Sequence, residues 1–212
     1  MIDERFEVQE YLNGKSIVLG NLYRICWLIV RWYKEQGLNR LDIRNEVFKW
    51  GCEQKITIKY NVNDIINKVY DKEMDAKLRS PAVKINKQDV QEIDRRFDNK
   101  KTKLCALAIL CYAKAYADRA GTFNISTVNL SAWVGINRKS LANKYIKELI
   151  DFEYLTLVSL PPKIGRWKDM SYYDQATTYK LNVPCHNSGN FVLRNNAIRI
   201  LFSEVYCPQE GN

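Results

Sequence analysis

A short stretch at positions 137–147, NRKSLANKYIK, carries residue types that can bind nucleic acid. Its candidate contact residues are Asn137, Arg138, Lys139, Ser140, Asn143, Lys144 and Lys147. Lys, Arg and Ser side chains hold phosphate oxygens, and Asn and Lys side chains can also hydrogen-bond base edges. Residues three and four apart share a helix face, so the last four of these side chains would lie together. The stretch therefore predicts a basic helix that presents one polar face to a polyanion.

The other positions of this helix have the pattern of a buried face. Apolar residues recur at spacings of three and four, at Leu141, Tyr145, Leu149 and Phe152, and would face the core. Acidic residues come only at the far end, at Glu148, Asp151 and Glu153. Asn137 is a suitable N-cap for the helix. An ordinary solvated helix face is the alternative interpretation of the charged residues.

The elements around this helix would position it. A short helix at 130–134 and a turn at 135–137 precede it, and strands at 154–160 and 177–183 follow it. The loop between the strands adds three more candidate contact residues, Lys163, Arg166 and Lys168, with Trp167 among them. Residues 84–183 carry 17 basic and 10 acidic side chains, which is +7 of the net charge of +9. This concentration of positive charge favours a polyanionic partner.

The order of short helix, glycine turn, basic helix, strand, basic loop and strand resembles that of winged helix-turn-helix proteins. The most telling part is LSAWVGINRKSLANKYIKELIDFEYLTLV, residues 130–158. The resemblance implies that the helix after the turn enters the major groove of DNA, while the wing contacts the backbone or the minor groove. More loosely, the layout resembles winged-helix proteins in the DNA-replication modules of phages, plasmids and low-GC Gram-positive bacteria. That second resemblance includes the entry INKQDVQEIDRRFDNKKTKLCALAILCYAKAY, residues 85–116.

We therefore expect a mainly α-helical protein with a small helical N-terminal domain and a winged helix-turn-helix domain with a β-hairpin wing. The expected parts are a helical N-terminal domain at 1–75, a linker at 76–86, the winged-helix domain at 87–183 and a C-terminal extension at 184–212. Apolar periodicity predicts further helices at 16–36, 41–50, 61–74, 86–96 and 101–119. In the extension, NFVLR favours a strand and NNAIRILFSEVY favours a helix.

The N-terminal domain contains five cations that could form a second basic patch. They are Arg24, Arg31, Arg40, Arg44 and Lys49. Neighbouring acidic residues dilute this patch, and a partner-binding or dimerisation surface is an equal alternative because the domain is rich in aromatic residues. A core role accounts for the tryptophans better than either.

Other chemistry has little support in the sequence. Cys185, His186 and Cys207 could supply three zinc ligands, but a tetrahedral site needs four and the spacing offers no fourth. His186 is the single histidine, no nucleophile motif flanks it, and the chain contains no G-x-x-x-x-G-K-[ST] phosphate-binding loop. We therefore expect no enzymatic activity, no metal and no cofactor.

The remaining composition indicates a cytoplasmic protein. The N-terminus, MIDERFEVQE, is not a signal peptide, and the most apolar run, at 104–113, is too short to span a bilayer. The six cysteines show no C-x-x-C pairing, and Cys26, Cys105 and Cys111 lie in apolar helical patterns, so we expect these three to be reduced core thiols. The shortness of the apolar run also leads us to expect no membrane association.

These patterns together predict sequence- or structure-dependent binding of double-stranded DNA, in phage- or plasmid-type replication or regulation. The alternative is a non-catalytic adaptor whose winged helix docks onto a replication or transcription protein, since a fold alone does not fix function. A homodimer is compatible with the sequence, and its geometry would set the spacing of DNA half-sites.

Overall fold

The chain is mostly helical with a small amount of β-sheet, which confirms the expectation of a mainly α-helical protein. The computed structural model describes residues 2–15, 22–58, 61–71, 77–160 and 177–207. The chain divides into an N-terminal unit, Asp3–Ser80, and a C-terminal unit made of Ile2 and the residues from Pro81 onward. Each unit has its own cluster of buried apolar side chains.

Helices build the described part of the N-terminal unit. In chain order they are α1 (Glu4–Leu12), α2 (Leu22–Glu35), α3 (Arg40–Glu53) and α4 (Val62–Asp71). Helices α2, α3 and α4 match predicted helices, whose outer parts at 16–21 and 72–74 lie outside the described residues. Helix α1 was missed because its sequence is mostly polar. Asp3 caps it by accepting a hydrogen bond from the backbone N–H of Phe6 at 2.9 Å.

Three of the five cations considered for a second basic patch are paired with carboxylates. The pairs and their N–O distances are Arg24–Glu7 at 2.9 Å, Arg31–Glu4 at 3.0 Å and Arg40–Asp71 at 2.8 Å. Glu7 and Arg31 are buried, so the first two pairs tie α1 to α2. Most of the positive charges considered for a second basic patch are therefore neutralised by carboxylates within the unit.

The C-terminal unit is organised around α5 (Lys87–Arg96) and α6 (Lys100–Tyr116). Asn86 and Asp89 form a capping box at the start of α5, each side chain accepting from the other residue's backbone N–H at 2.8 Å. Every residue of α6 from Cys105 to Cys111 is buried, so this helix is surrounded on all sides. Helix α6 ends three residues before the predicted end, because the chain turns there toward a strand that was not predicted from the sequence.

That strand belongs to a three-stranded antiparallel sheet. Its members are β2 (Thr122–Ile125), β3 (Leu155–Ser159) and β4 (Thr177–Leu181), in the order β2–β4–β3. The two strands predicted after the basic helix therefore pair with each other, with Leu155 opposite Leu181. Strand β2 pairs with the other edge of β4, where Phe123 lies opposite Tyr179.

Between β2 and β3 the chain forms α7 (Thr127–Val134), a turn, and a continuous helix of residues 138–151, called the basic helix below. The basic helix begins with the α-helical turn α8 (Arg138–Ser140). It continues through a π-helical segment (Leu141–Ile146) and ends with α9 (Lys147–Asp151). Its buried face includes Leu141, Tyr145 and Leu149, as predicted.

The prediction that Phe152 faces the core is wrong, because 53% of its surface is exposed. It follows the last helical residue and precedes Glu153, whose φ of +54° turns the chain away from the helix direction. The ring still makes an edge-on contact with the ring of Phe97, at a centroid distance of 5.7 Å.

The segment expected to be a C-terminal extension is part of the core of the C-terminal unit. Strand β5 (Phe191–Leu193) pairs antiparallel with β1 (Val83–Ile85), and α10 (Ile198–Tyr206) buries Leu201 and Phe202. Strand β1 falls within the expected linker at 76–86, where alternation of apolar and polar residues at 83–85 buries two of three side chains. At the other end of the chain, Ile2 is buried in the same core.

Candidate nucleic-acid interface

The turn before the basic helix is fixed by its backbone conformation and by two side chains. Gly135 ends α7 with φ +64° and ψ +38°, a left-handed conformation that glycine adopts without steric strain. The hydroxyl of Ser131 donates to the carbonyl oxygen of Ile136 at 2.7 Å. The side chain of Asn137 accepts from the backbone N–H of Lys139 at 3.0 Å, as predicted for an N-cap. The position at which the basic helix starts is therefore set by local interactions.

A residue far along the chain also holds this turn. The guanidinium of Arg199, in α10, donates to the carbonyl oxygens of Val134 at 3.1 Å and Gly135 at 2.9 Å. This contact was not predicted from the sequence, because the segment from 184 on was expected to be an extension. The periodicity of α10 contained a signal, since Arg199 and Ser203 are four residues apart and border its buried face.

The face predicted to bind nucleic acid is exposed along its whole length. Its residues are Asn137, Arg138, Lys139, Ser140, Asn143, Lys144 and Lys147. Among the described residues, no carboxylate forms an ion pair with Lys139, Lys144 or Lys147. The ammonium group of Lys144 lies 5.6 Å from the ring centroid of Tyr145. This cation–π contact attracts the ammonium group but leaves its positive charge in place. Cations left unneutralised in this way attract a polyanion strongly.

The first acidic residue along the basic helix, Glu148, makes its contact away from this face. Glu148 points toward α6, where its carboxylate accepts a hydrogen bond from the hydroxyl of the buried Thr102 at 2.8 Å. Asp151 and Glu153 are exposed at the far end of the helix. The positive potential of the basic helix is therefore concentrated in its N-terminal and middle turns.

The three cations predicted for the loop between β3 and β4 are Lys163, Arg166 and Lys168, and they lie outside the described residues. The strands on both sides of that loop are described and paired. The candidate interface among the described residues therefore consists of the basic helix, its turn and the elements that contact them.

Two further cations lie beside the interface and were not assigned from the sequence. Lys100 and Lys101 are exposed in the first turn of α6 and line the same groove as Asn137 and Ser140. Lysine in the first turn of a helix opposes the helix dipole, at a typical cost of about 0.3–1 kcal/mol, so helix stability does not favour this placement. The run KKTK directly after the N-cap Asn99 was the available sequence signal.

Metal binding and thiol chemistry have little support in the described residues. These residues contain no group of three or more His, Cys, Asp or Glu side chains placed to hold a metal ion. Burial raises the pKa of Cys26 to about 12 and that of Cys105 to about 12, which keeps both thiols protonated near neutral pH.

Within the described residues, every helix is too short or too polar to cross a membrane.

Comparison of the chain with models of protein families, with curated proteins and with solved structures finds no match. The functional interpretation therefore depends on the geometry and charge of the residues described above.

Proposed function

We propose that the C-terminal unit binds double-stranded DNA without catalysis, as a winged helix whose basic helix enters the major groove. The observation that carries the proposal is the row of exposed lysines without ion-pair partners among the described residues, Lys139, Lys144 and Lys147. Phosphate contacts of this kind supply nearly all of the affinity in non-specific DNA binding and a large share of it in specific binding. The proposed setting is replication or regulation of the phage or plasmid type.

The order of elements supports this proposal. Helix α7, the Gly135 turn and the basic helix follow one another as in a helix-turn-helix, in which the second helix lies in the major groove. Strands β3 and β4 then pair antiparallel, as the two strands of a wing would. Because β2 pairs with the other edge of β4, the wing would be anchored to the core of the same unit.

The exposed polar side chains supply both kinds of DNA contact. The amide of Asn143 can hydrogen-bond the edge of an adenine, while Arg138, Lys139, Lys144 and Lys147 can hold phosphates. The hydroxyl of Ser140 can serve in either role. Asn143 is therefore the residue on this face whose replacement should change sequence preference most.

Titration of a labelled pool of random duplexes at about 50 mM and about 200 mM salt tests the proposal, since phosphate contacts lose affinity as salt rises. We expect Lys144→Glu and Lys147→Glu each to weaken binding at the lower salt and to reduce the salt dependence by about one phosphate contact. Lys68→Glu is the matched control, because Lys68 is an exposed helical lysine in the other unit. No binding by the parent at low salt, or equal losses in all three variants, would refute DNA binding by this face.

The alternative of a protein-interaction adaptor is favoured by one specific feature. Phe152, Leu157, Val158 and Leu160 are 40–69% exposed around and after β3. Exposed apolar side chains mark interaction surfaces where they form a contiguous patch. A replication or transcription partner bound there would survive nuclease treatment and be lost with Val158→Lys, while Lys144→Glu would leave it bound. A homodimer through the same side chains would instead appear as self-association of the parent that Val158→Lys abolishes.

A further inference from the structure

A groove of about 430 Å³ opens beside the start of the basic helix. It lies between the first turns of α6, the turn at Gly135 and helix α10. Side chains of Leu104, Ile136, Tyr145 and Phe202 give it an apolar floor. The volume is within the usual range of about 300–1,000 Å³ for small-molecule sites.

The rim of this groove is basic and rich in hydrogen-bond donors. Lys100 and Lys101 line it from α6, and Arg199 lines it from α10. No Asp or Glu is among the described residues that line it. Nε and one terminal nitrogen of Arg199 donate hydrogen bonds to backbone carbonyl oxygens. Because a guanidinium group has five N–H donors, its remaining N–H groups stay available to a ligand. The N-terminal end of α6 adds the positive end of a 17-residue helix dipole.

We propose that this groove binds a small amphipathic anion. An aromatic or branched aliphatic body would lie on the floor formed by Tyr145 and Phe202, and a carboxylate, sulfonate or phosphate group would face Lys100 and Lys101. A DNA phosphate alone would not need the apolar floor, and a neutral hydrophobic ligand would not need the cations. The two features together therefore define the class of ligand.

Binding of this anion would oppose the proposed contact with DNA. Asn137 and Ser140 belong both to the lining of the groove and to the face predicted to bind DNA. An occupant would cover these side chains and place negative charge beside the phosphate path. This consequence rests on the proposed function, whereas ligand binding itself does not.

The probe for the test is 8-anilinonaphthalene-1-sulfonate, and the control probe is N-phenyl-1-naphthylamine, the same ring system without the sulfonate. Fluorescence titration of the full chain should show saturable binding of the sulfonate. We expect Lys100→Glu combined with Lys101→Glu to weaken it by about tenfold or more, and the neutral probe to be insensitive to that change. Glutamate suits the first turn of a helix, so the double variant should keep its fold.

Lys87→Glu is the matched control for charge, because Lys87 is an exposed lysine in the first turn of α5 and does not line the groove. Ser203→Trp is the second test variant, since it fills the groove from α10 without changing the net charge. We expect Lys87→Glu to bind the sulfonate like the parent and Ser203→Trp to lose most of its affinity.

The proposal is overturned if both groove variants bind the sulfonate like the parent, or if the neutral probe competes equally and responds to the same variants. Release of a labelled duplex by the sulfonate from the parent, and not from Ser203→Trp, would support the coupling to DNA. If the chain binds no duplex, the proposed function fails while the fluorescence titration still decides whether the groove binds the anion.

Discussion

The guanidinium of Arg199 donates a hydrogen bond to the carbonyl oxygen of Gly135 over 2.9 Å, and so ties α10 to the turn that starts the basic helix. Carbonyl groups at a helix end lack partners within the helix, and Arg199 satisfies two of them at the end of α7. A residue from the last helix of the described chain therefore helps to position the side chains proposed to contact DNA.

Replacing Arg199 by Ala should lower both stability and DNA affinity. Loss of its two charge-assisted hydrogen bonds should reduce the free energy of unfolding by about 1–3 kcal/mol, which denaturation in urea would measure. Each 1.4 kcal/mol lost in positioning the basic helix should weaken duplex binding about tenfold. Arg194→Ala is the matched control, because Arg194 is exposed just before α10. Equal effects of the two replacements would show that Arg199 has no special role in the turn.

Replacing Gly135 by Ala should strain the same turn in two ways. An L-residue in the left-handed region costs about 1–2 kcal/mol, and the added Cβ would lie 2.2 Å from a guanidinium nitrogen of Arg199. Gly37→Ala is the matched control, with φ of +84° and no atom within 4 Å of its added Cβ. Hydrogen exchange measured on peptides of each unit should show a larger loss of protection for Gly135→Ala.

The contact also predicts coupling between the two replacements. In Gly135→Ala the guanidinium must move and give up its carbonyl partners, so a second replacement of Arg199 by Ala should have a smaller effect than in the parent. The free energy of unfolding lost in the double variant should therefore be smaller than the sum of the losses in the two single variants. We expect the difference to be about 0.5–3 kcal/mol. Strict additivity would mean that the guanidinium keeps its bonds despite the added methyl group.

The parts of the fold that the sequence predicted are those with local signals. Helix α5 has its own N-cap and its own repeat of apolar residues at helical spacing. The exposed face of the basic helix follows from the types and spacing of neighbouring residues. The π-helical segment does not show in the sequence, because the spacing of Leu141, Tyr145 and Leu149 suits either kind of helix. Strand β2 is too short, and α1 contains too few apolar residues, for either to show a clear apolar repeat in the sequence.

The parts that were missed depend on contacts between distant residues. Val83 pairs with Leu193 across the β1–β5 ladder, which turns an expected linker and an expected extension into one core. The backbone N–H of Ile2 donates to the side chain of Asn196 at 3.0 Å. Arg199 and Lys100 are likewise brought to the candidate site by packing between distant segments, so the local patterns around them did not show that they meet there.

The thiols should divide into two classes of reactivity. Cys52 and Cys207 are exposed, whereas burial raises the pKa of Cys26 and of Cys105 to about 12. A thiol with such a pKa is almost wholly protonated near pH 8 and reacts slowly, because the thiolate is the nucleophile. Labelling of the native chain with a disulfide reagent should be fast at the exposed pair alone. Combined Cys52→Ser and Cys207→Ser should remove the fast phase, and its persistence would show that one of the remaining buried or half-buried thiols is readily accessible.

The buried pair of Lys114 and Asp89 should be among the most sensitive contacts in the C-terminal unit. The ammonium group of Lys114 is fully buried, lies 2.6 Å from the carboxylate of Asp89 and donates to the carbonyl oxygens of Lys84 at 3.0 Å and His186 at 2.7 Å. These bonds join α6 to β1, α5 and the chain before β5. Lys114→Met would leave the Asp89 carboxylate buried without its cation, which typically costs about 3–5 kcal/mol.

A more exposed ion pair on the same helix provides the comparison. Lys103 pairs with Asp94, whose side chain is 45% exposed, so Lys103→Met should reduce the free energy of unfolding by only about 0–1 kcal/mol. Urea denaturation of both variants measures the two losses under one set of conditions. If Lys114→Met is no more destabilising than Lys103→Met, solvent reaches Asp89 in the folded state and the pair does not hold these elements together.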